Sequence, residues 1–382
     1  MKTKERKLPA VEDQLRRDIV AGRFRPGTRL PSCRQLARTL RVSHMSVHRA
    51  LGSLARDGFV ADRLVRGRFV ADRPPHLYRY GIVFPSDPSG GDRGYWPPAW
   101  RALNEEALRV QHIDPRRCVV PYYNISGHVD VPDYQKLLLD LRGDRLAGLM
   151  FSGGFSAAIL RSPVFEDSAL PRVVLYGLPV PKRSVAIDSG GWQTVTRALD
   201  YLAAQGRRRV GVIDLPGSAL LEEGRLTAEM NQRSMTTRPC WLQAVNHETP
   251  FTANKLVLLL MSLPAAERPD ALVVLNPFLV EHATAGLVSA DVHVPRDVEV
   301  VAGGNFPYLT RALVPVKWIG VDMREGMRLA IELVDRQRQG ESVPALTEPA
   351  IIFEEELPAA DPLQRLRAQL KLAEPGVVSG SH

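Results

Sequence analysis

The sequence predicts a multidomain protein, in which a small α+β domain precedes a much larger α/β part built on parallel sheets. Three observations indicate this. Basic side chains are concentrated near the start, the opening segment has the pattern of helices followed by a hairpin, and the remainder alternates apolar strands with amphipathic helices. With 382 residues, the chain is long enough for roughly two or three domains of ordinary size.

The charge of the chain is unevenly distributed. Residues 1–79 hold 19 Lys and Arg against 7 Asp and Glu, a balance of +12, whereas the whole chain carries +8, so residues 80–382 balance to 8 − 12 = −4. A basic head on a mildly acidic body indicates a polyanionic partner for the head alone. The sequence contains no apolar run that could span a membrane and no apolar signal core, which predicts a cytoplasmic protein without a membrane partner.

The first predicted helix covers residues 10–21, because Val11, Leu15 and Ile19 recur at the four-residue spacing of one helix face and Gly22 ends it. Ser32 can cap a second helix, whose buried stripe is Leu36, Ala37 and Leu40.

Ser43 can cap a third helix, which places apolar side chains on its inner face. Its outward face then carries His44, Ser46, His48 and Arg49. The β-prone segments 59–60 and 68–70 flank Gly67 and predict a hairpin whose tip bears Arg63, Arg66 and Arg68. Three helices and a basic hairpin are the outline of a winged helix-turn-helix, which we assign to residues 1–73.

A linker is predicted at residues 74–79, where the charge pattern changes, and a large α/β part at 80–357. Strands are predicted at 80–84, 118–123, 146–151, 173–176, 210–214, 241–245, 272–275, 298–302 and 318–321. Helices are predicted at 99–110, 134–141, 192–205, 226–234, 254–263, 280–288 and 325–338. This length favours two doubly wound lobes with a ligand cleft between them. Residues 358–382 are expected to form a loosely docked tail.

The head resembles the GntR family of bacterial repressors over about residues 10–72. The matching positions are Pro26-Gly27, Leu30-Pro31-Ser32, Leu36-Ala37, Val42-Ser43, Val47, Ala50-Leu51 and Gly67. Two positions depart from the family: His44 stands where arginine is usual, and Val65 replaces the usual first glycine of the wing.

The resemblance implies contacts with double-stranded DNA. Carried over by position, they fall on Ser32, Arg34, Ser43, His44, Ser46, His48, Arg49, Arg66, Gly67 and Arg68. The chemistry suits each role, because an arginine can fork onto guanine O6 and N7, hydroxyls and histidines can reach base edges or phosphates, and wing arginines neutralise backbone charge.

The large part resembles the LacI/GalR type of effector domain, which shares its fold with periplasmic sugar-binding proteins. The resemblance covers about residues 79–357 and is carried by segments 146–152, 171–176, 185–188, 194–213 and 294–303. It implies a small-molecule effector between the lobes, held by Ser86, Asp87, Ser152, Asp188, Arg225, Asn276 and Asn305.

The identity of the effector is left open by two positions. Asn305 stands where sugar-binding members carry aspartate, and Pro277 follows Asn276 where an acid is usual. Stacking faces could come from Trp96, Trp100, Tyr123, Trp192 and Phe306, although core packing is the commoner role of such aromatics.

Together these features predict a transcriptional regulator, a repressor controlled by a sugar or related metabolite, which binds a palindromic operator as a homodimer. We expect no metal site, since the cysteines Cys33, Cys118 and Cys240 are far apart, and no cofactor, since the sequence has no GxxxxGK phosphate loop, GxSxG elbow or HExxH helix. One alternative is an enzyme-like regulator with a pyridoxal phosphate fold, but the only lysines beyond residue 80 are Lys136, Lys182, Lys255, Lys317 and Lys371, none in a convincing cofactor loop. A second alternative is a ligand-independent dimeric DNA-binding protein.

Overall fold

A computed structural model describes residues 7–63, 67–89, 96–153, 157–165, 170–177, 184–221 and 223–358. The chain divides into two compact units. The first is formed by Met1–Trp96, Leu103–Ile187 and Met327–Thr347, and the second by Pro97–Ala102, Asp188–Gly326 and Glu348–His382. The first unit contains the head, residues 7–73, and one α/β lobe, which we call lobe 1. The second unit contains lobe 2.

The head consists of three helices and a two-stranded hairpin, as the sequence predicts. Its elements are α1 (Lys7–Val20), α2 (Cys33–Thr39), α3 (His44–Arg56), β1 (Val60–Arg63) and β2 (Gly67–Val70). The hairpin is antiparallel, with Asp62 opposite Arg68. Residues 28–30 flank it, because the Leu30 amide donates to the Arg68 carbonyl and the Val70 amide donates to the Thr28 carbonyl, both at 2.9 Å.

The head has its own hydrophobic core. Val11, Leu15 and Ile19 on α1 are buried, as their spacing predicts, and they pack with the inner face of α3. The other buried members are Leu30, Leu36, Val47, Ala50, Leu51, Leu54, Phe59, Val60 and Val70. Gly22 and Gly58 follow α1 and α3 with φ values of +75° and +81°, a backbone region that suits glycine, so each closes its helix.

The head continues into lobe 1 through a short turn in which His76 is half-buried. Its ring stacks on Phe59, with the centroids 5.8 Å apart and the planes 8° from parallel. Burial and, to a smaller extent, Arg338 lower the pKa of His76 to about 4. The folded protein therefore holds this imidazole neutral at pH values at which an unfolded chain would protonate it.

We expect acid to destabilise the protein through His76. Between pH 7.5 and pH 5 the unfolded chain gains a proton that the folded chain does not, so the stability present above the unfolded pKa of 6.5 declines toward the folded pKa of about 4. Urea unfolding should show a loss about 1–2 kcal/mol larger for the wild type than for His76→Phe, after allowance for partial exposure. His128→Phe, at an exposed histidine, should behave like the wild type.

Lobe 1 is built on a fully parallel sheet with strand order β13-β7-β6-β5-β3-β4. Its strands are β3 (Arg79–Val83), β4 (Cys118–Tyr122), β5 (Gly148–Phe151), β6 (Arg172–Leu175), β7 (Val185–Ile187) and β13 (Leu346–Thr347). The helices α5 (Pro132–Arg142) and the single-turn α6 (Ala157–Leu160) belong to this part, as do α4 (Pro98–Ile113) and α11 (Met323–Arg338) apart from residues 98–102 and 323–326, which belong to the second unit.

Lobe 2 has strand order β14-β12-β11-β10-β8-β9. Its strands are β8 (Val210–Asp214), β9 (Leu242–Ala244), β10 (Ala271–Val274), β11 (Glu299–Phe306), β12 (Lys317–Asp322) and β14 (Ile351–Phe353), and its helices are α7 (Gly191–Ala204), α8 (Glu223–Gln232), α9 (Thr252–Met261) and α10 (Pro277–Ser289). Each pairing is parallel except that of β14 with β12.

The predicted elements are present with shifted ends, and three strands were not predicted. β7, β13 and β14 each have two or three residues, too few to show a periodic pattern. The antiparallel β14 also makes the second sheet mixed rather than purely parallel. β11 runs to Phe306, four residues beyond the predicted end, because residues 303–306 pair with β12. Within the described residues, no helix is long and apolar enough to cross a bilayer.

Candidate nucleic-acid interface and ligand site

The outward face of α3 is polar and solvent-accessible. His44, His48 and Arg49 are exposed, Ser46 is half-buried, and Arg34 is exposed on the preceding helix α2. On the opposite face of α3, Val47, Ala50, Leu51 and Leu54 are buried in the head core. These predicted DNA contacts thus lie at exposed or half-buried positions of α2 and α3, and α3 is anchored from behind, the arrangement that a major-groove reader requires.

Ser32 and Ser43 act locally as helix caps. The Ser32 hydroxyl accepts from the Gln35 amide at 3.3 Å, and the Gln35 side chain accepts from the Ser32 amide at 2.8 Å. The Ser43 hydroxyl accepts from the Ser46 amide at 3.1 Å and lies 2.8 Å from the Ser46 hydroxyl. These bonds begin α2 and α3 at defined residues, while other amides of the first turns stay available for a phosphate.

The hairpin contacts α3 through Arg68. Its Nε donates to Asp62 at 2.8 Å and its Nη1 to the His48 carbonyl at 3.4 Å, so only 20% of the side chain is exposed. Gly67 has φ +96° and lies against the Arg29 side chain. Arg66, also a predicted contact, lies outside the described residues. Arg68 is therefore partly neutralised and links the wing to α3, a role that its place in the sequence does not reveal.

In lobe 1, polar side chains follow the ends of β3 and β5. Ser86 and Asp87 are half-buried and Ser152 is buried. Asp87 accepts from the Ser89 hydroxyl and amide and, at 2.9 Å, from the Asn124 amide group. These hydrogen bonds, the Ser89 hydroxyl first, hold the pKa of Asp87 below its usual value. The carboxylate is thus kept charged and oriented at the strand end.

The aromatic residues near this edge form one cluster. The Phe84 ring lies 5.2 Å from Trp96 and 5.7 Å from Tyr123, measured between centroids. Phe84 and Trp96 are buried, so they pack in the core, while Tyr123 is half-buried and donates its hydroxyl to Asn104 at 2.6 Å. Of these rings, Tyr123 is the best placed to offer a partly accessible face.

In lobe 2, Arg225 is exposed at the start of α8 and lies over Trp192, with 3.9 Å between the guanidinium carbon and the ring centroid. Stacking restricts the guanidinium while leaving its N–H edge available. Asn276 caps α10, because its side-chain oxygen accepts from the Phe278 amide at 3.0 Å. Asn305 lies near the end of β11, and Asp188 begins the longest segment of the second unit, Asp188–Gly326.

Asp214 is a strand-end carboxyl that the sequence analysis missed. It closes β8 and is buried, and burial raises its pKa against the opposing hydrogen bonds from Ser218 and Leu215. An acid at the end of an apolar strand was the available signal. Within the described residues, no group of three or more His, Cys, Asp or Glu side chains is arranged to hold a metal ion.

Comparison with known families agrees with this geometry. Residues 9–70 match the gntR family of bacterial regulatory proteins, and residues 199–351 match the periplasmic binding protein-like domain. The head is a GntR-family helix-turn-helix. A comparison with curated protein sequences finds no match to the chain.

Solved structures of LacI-type regulators share the fold of the part behind this GntR-family head. A regulatory protein of the LacI family from Chloroflexus aggregans is 18% identical, with 72% of this chain and 96% of that chain covered and a TM-score of 0.52. The transcription regulator CcpA of Lactococcus lactis is 13% identical, with 72% of this chain and 97% of that chain covered and a TM-score of 0.52. A LacI family transcriptional regulator from Lactobacillus casei with bound glucose is 18% identical, with 72% of this chain and 98% of that chain covered and a TM-score of 0.50.

The chain therefore joins a helix-turn-helix of the GntR family of bacterial regulatory proteins to a two-lobed α/β part that has the fold of LacI-type regulators. The resemblances on which the sequence analysis relied are confirmed, including the helix-turn-helix with its small antiparallel sheet and the two α/β lobes.

Proposed function

We propose that this regulator is a repressor, which binds a palindromic operator as a homodimer and is controlled by a small polar metabolite bound at strand-end residues of its α/β part. The observation that carries the proposal is the exposed basic face of α2 and α3, anchored on a buried core. The proposal assigns the chain no catalytic step.

In DNA recognition, a few side chains would contact the bases, and the positive charge of the head would hold it on the phosphates. Arg34, exposed on α2, has the geometry to fork onto a guanine, and His44, His48 and Arg49 present donors and acceptors along α3. The +12 balance of residues 1–79 supplies the sequence-independent attraction to phosphates. Specific binding would therefore depend on a few side chains, and salt sensitivity on the head as a whole.

The effector chemistry is argued from the strand-end groups. Within lobe 1 Asp87 is a fixed acceptor, and within lobe 2 Arg225 is a stacked donor and Asn305 a neutral amide, each lobe being taken by itself. Groups of this kind in either lobe suit a ligand with several hydroxyl groups, a sugar or a related metabolite, for which the Lactobacillus casei regulator with bound glucose is a precedent in the same fold.

Arg225→Ala should weaken effector binding about tenfold or more, because a charge-assisted hydrogen bond contributes about 1.5–3 kcal/mol. Thermal shift with a panel of monosaccharides and sugar acids measures this as loss of a saturable rise in Tm. Arg238→Ala is the matched control, since Arg238 is also exposed and lies over a tryptophan, 5.1 Å from the Trp241 centroid. An equal loss in both variants would contradict the assignment of Arg225.

Homodimerisation is supported by apolar side chains that lobe 2 leaves exposed. Leu259 on α9 is 70% exposed, Phe251 before it 61%, and Val288 on α10 55%. A second copy would cover them and would also match the symmetry of a palindrome. Sedimentation of the wild type should show a dimer that Leu259→Glu dissociates. Leu139→Glu, at a 59% exposed leucine of lobe 1, should remain dimeric.

The proposed function is tested by selecting genomic fragments with the full chain at near-physiological salt and sequencing them. We expect a short palindrome that the double variant Arg34→Ala/Arg49→Ala fails to recover. If both proteins recover the same fragments, or neither recovers a common sequence, the head is not a specific reader. A transcript next to the palindrome that falls when the gene is deleted would contradict repression.

A further inference from the structure

The recognition helix α3 is followed directly by Asp57, whose carboxylate is locally unfavourable there. It caps the carboxyl end of the helix, which carries the negative end of the helix dipole. Two arginines compensate the charge. Asp57 Oδ2 lies 3.4 Å from Arg16 Nη2, and Asp57 Oδ1 lies 2.9 Å from Arg145 Nη2. Arg16 belongs to α1 of the head, whereas Arg145 belongs to lobe 1, so Asp57 joins the two parts.

Arg145 is itself held in place by lobe 1. Its Nη1 donates to Asp140 Oδ1 at 3.2 Å, and Asp140 is only 4% exposed. The other oxygen of Asp140 accepts from the Tyr122 hydroxyl at 2.6 Å and lies 3.5 Å from Arg79 Nη2. A guanidinium anchored to a buried, fully engaged carboxylate cannot turn away without leaving that carboxylate poorly paired.

Tyr122 extends these contacts toward the strand-end site of lobe 1. It is the last residue of β4 and is fully buried, and its ring lies close to Gly81 of the neighbouring strand β3. A Cβ at Gly81 would lie 3.1 Å from Tyr122 Cε2. Two residues after Tyr122, Asn124 donates to Asp87. The first unit therefore contains a continuous series of contacts from Asp87 to the end of α3.

The segment between head and lobe 1 adds contacts at the same junction. His76 stacks on the buried Phe59, and Arg73 donates to the Arg116 carbonyl at 2.6 Å. The Asp57 and Arg145 side chains are 16% and 28% exposed, so their ion pair is screened by salt less than a surface pair would be. The junction is thus packed and charged rather than a free tether.

We propose that Arg145 is a positioning residue for DNA recognition: through Asp57 it holds the recognition helix α3 in one orientation on lobe 1. Head and lobe 1 then move as one body, so that a rearrangement of lobe 1 re-orients α3. Docking of the head on lobe 1 does not depend on whether the head binds DNA. The effect of this docking on DNA recognition rests on the proposed function.

Docking is tested without DNA by fluorescence anisotropy decay. A dye is attached at Met45→Cys, an exposed position on α3, in a protein whose Cys33, Cys118 and Cys240 are replaced by serine. With Arg145 present, we expect the dye to follow the tumbling of the whole protein. Arg145→Gln should add a faster component from a released head, and Arg142→Gln, three residues away and exposed, should not.

Asp57→Asn breaks the same contact from the head side and leaves Arg145 on Asp140, so it separates release of the head from damage to lobe 1. It should produce the same fast component as Arg145→Gln, and Arg145→Lys should partly suppress it. A fast component already present in the unmodified background, or its absence from both Arg145→Gln and Asp57→Asn, would overturn the proposal.

The consequence for DNA is measured as affinity for palindromes whose half-sites are moved apart by one to three base pairs. A docked head should lose at least tenfold in affinity with the altered spacing, and Arg145→Gln should reduce that loss to less than threefold. Equal spacing dependence in both proteins would contradict the positioning role. Failure of every variant to bind DNA would instead contradict the proposed function, leaving the anisotropy result to decide the docking.

Discussion

Arg34→Ala is expected to weaken binding to the specific operator by about 1–3 kcal/mol and to relax the choice of base at one position. Arg34 is exposed on α2, and no described contact occupies its guanidinium, so all of its donors are available to a base edge. Titration of labelled operator and of random DNA at the same salt measures the change. Affinity for random DNA should fall only slightly, because one of many basic side chains is removed.

Two arginines of the head serve as controls for this prediction. Arg38→Ala removes an exposed arginine four residues further along the chain, at the other end of α2, and should affect operator and random DNA equally. Arg68→Ala should weaken all sequences similarly, because Arg68 is bonded to Asp62 and the His48 carbonyl and supports the wing. Equal losses on operator and random DNA for Arg34→Ala would refute its assignment as a base reader.

Phe59→Ala is expected to destabilise the head by about 3–5 kcal/mol, the range for removing a fully buried aromatic side chain. Phe59 is 0% exposed, belongs to the head core, and stacks on His76 of the connecting turn. Its loss would leave a cavity and remove a contact between the head and the connecting turn. Urea unfolding should therefore show an early transition, and operator binding should be lost with it.

Leu139→Ala is the matched control for Phe59→Ala. Leu139 is 59% exposed on α5, so its truncation should change the free energy of unfolding by no more than about 0.5 kcal/mol. Unfolding curves of Phe59→Ala and wild type that coincide would show that Phe59 does not stabilise the head.

Much of the head could be predicted because its signals are local. The spacing of Val11, Leu15 and Ile19 defines one buried face of α1, and Ser32 and Ser43 begin the next two helices through bonds to residues only three positions away. Such patterns depend on neighbours within one or two helical turns, so they can be recognised without knowledge of the fold.

The sequence predicted which residues belong to the candidate sites, but only partly the contacts that each of these residues makes. Arg68 follows the wing glycine as the family pattern requires, yet its bonds to Asp62 and His48 could not be inferred from that place in the chain. Asn276 was predicted as a ligand contact, and its side chain caps α10. Asp214 was missed although it ends a predicted strand, and its burial and raised pKa are visible only in the folded chain.

The sequence by itself determined the GntR-type head, the alternating α/β body and the surplus of positive charge near the start. The tertiary structure decided which sheet each short strand joins, so that β13 belongs to lobe 1 and β14 to lobe 2. It also decided that Asp57 meets Arg145, 88 residues later. The physical reason is range: helix caps and periodicity act over a few residues, whereas strand pairing and ion pairing between distant residues depend on how the whole chain packs.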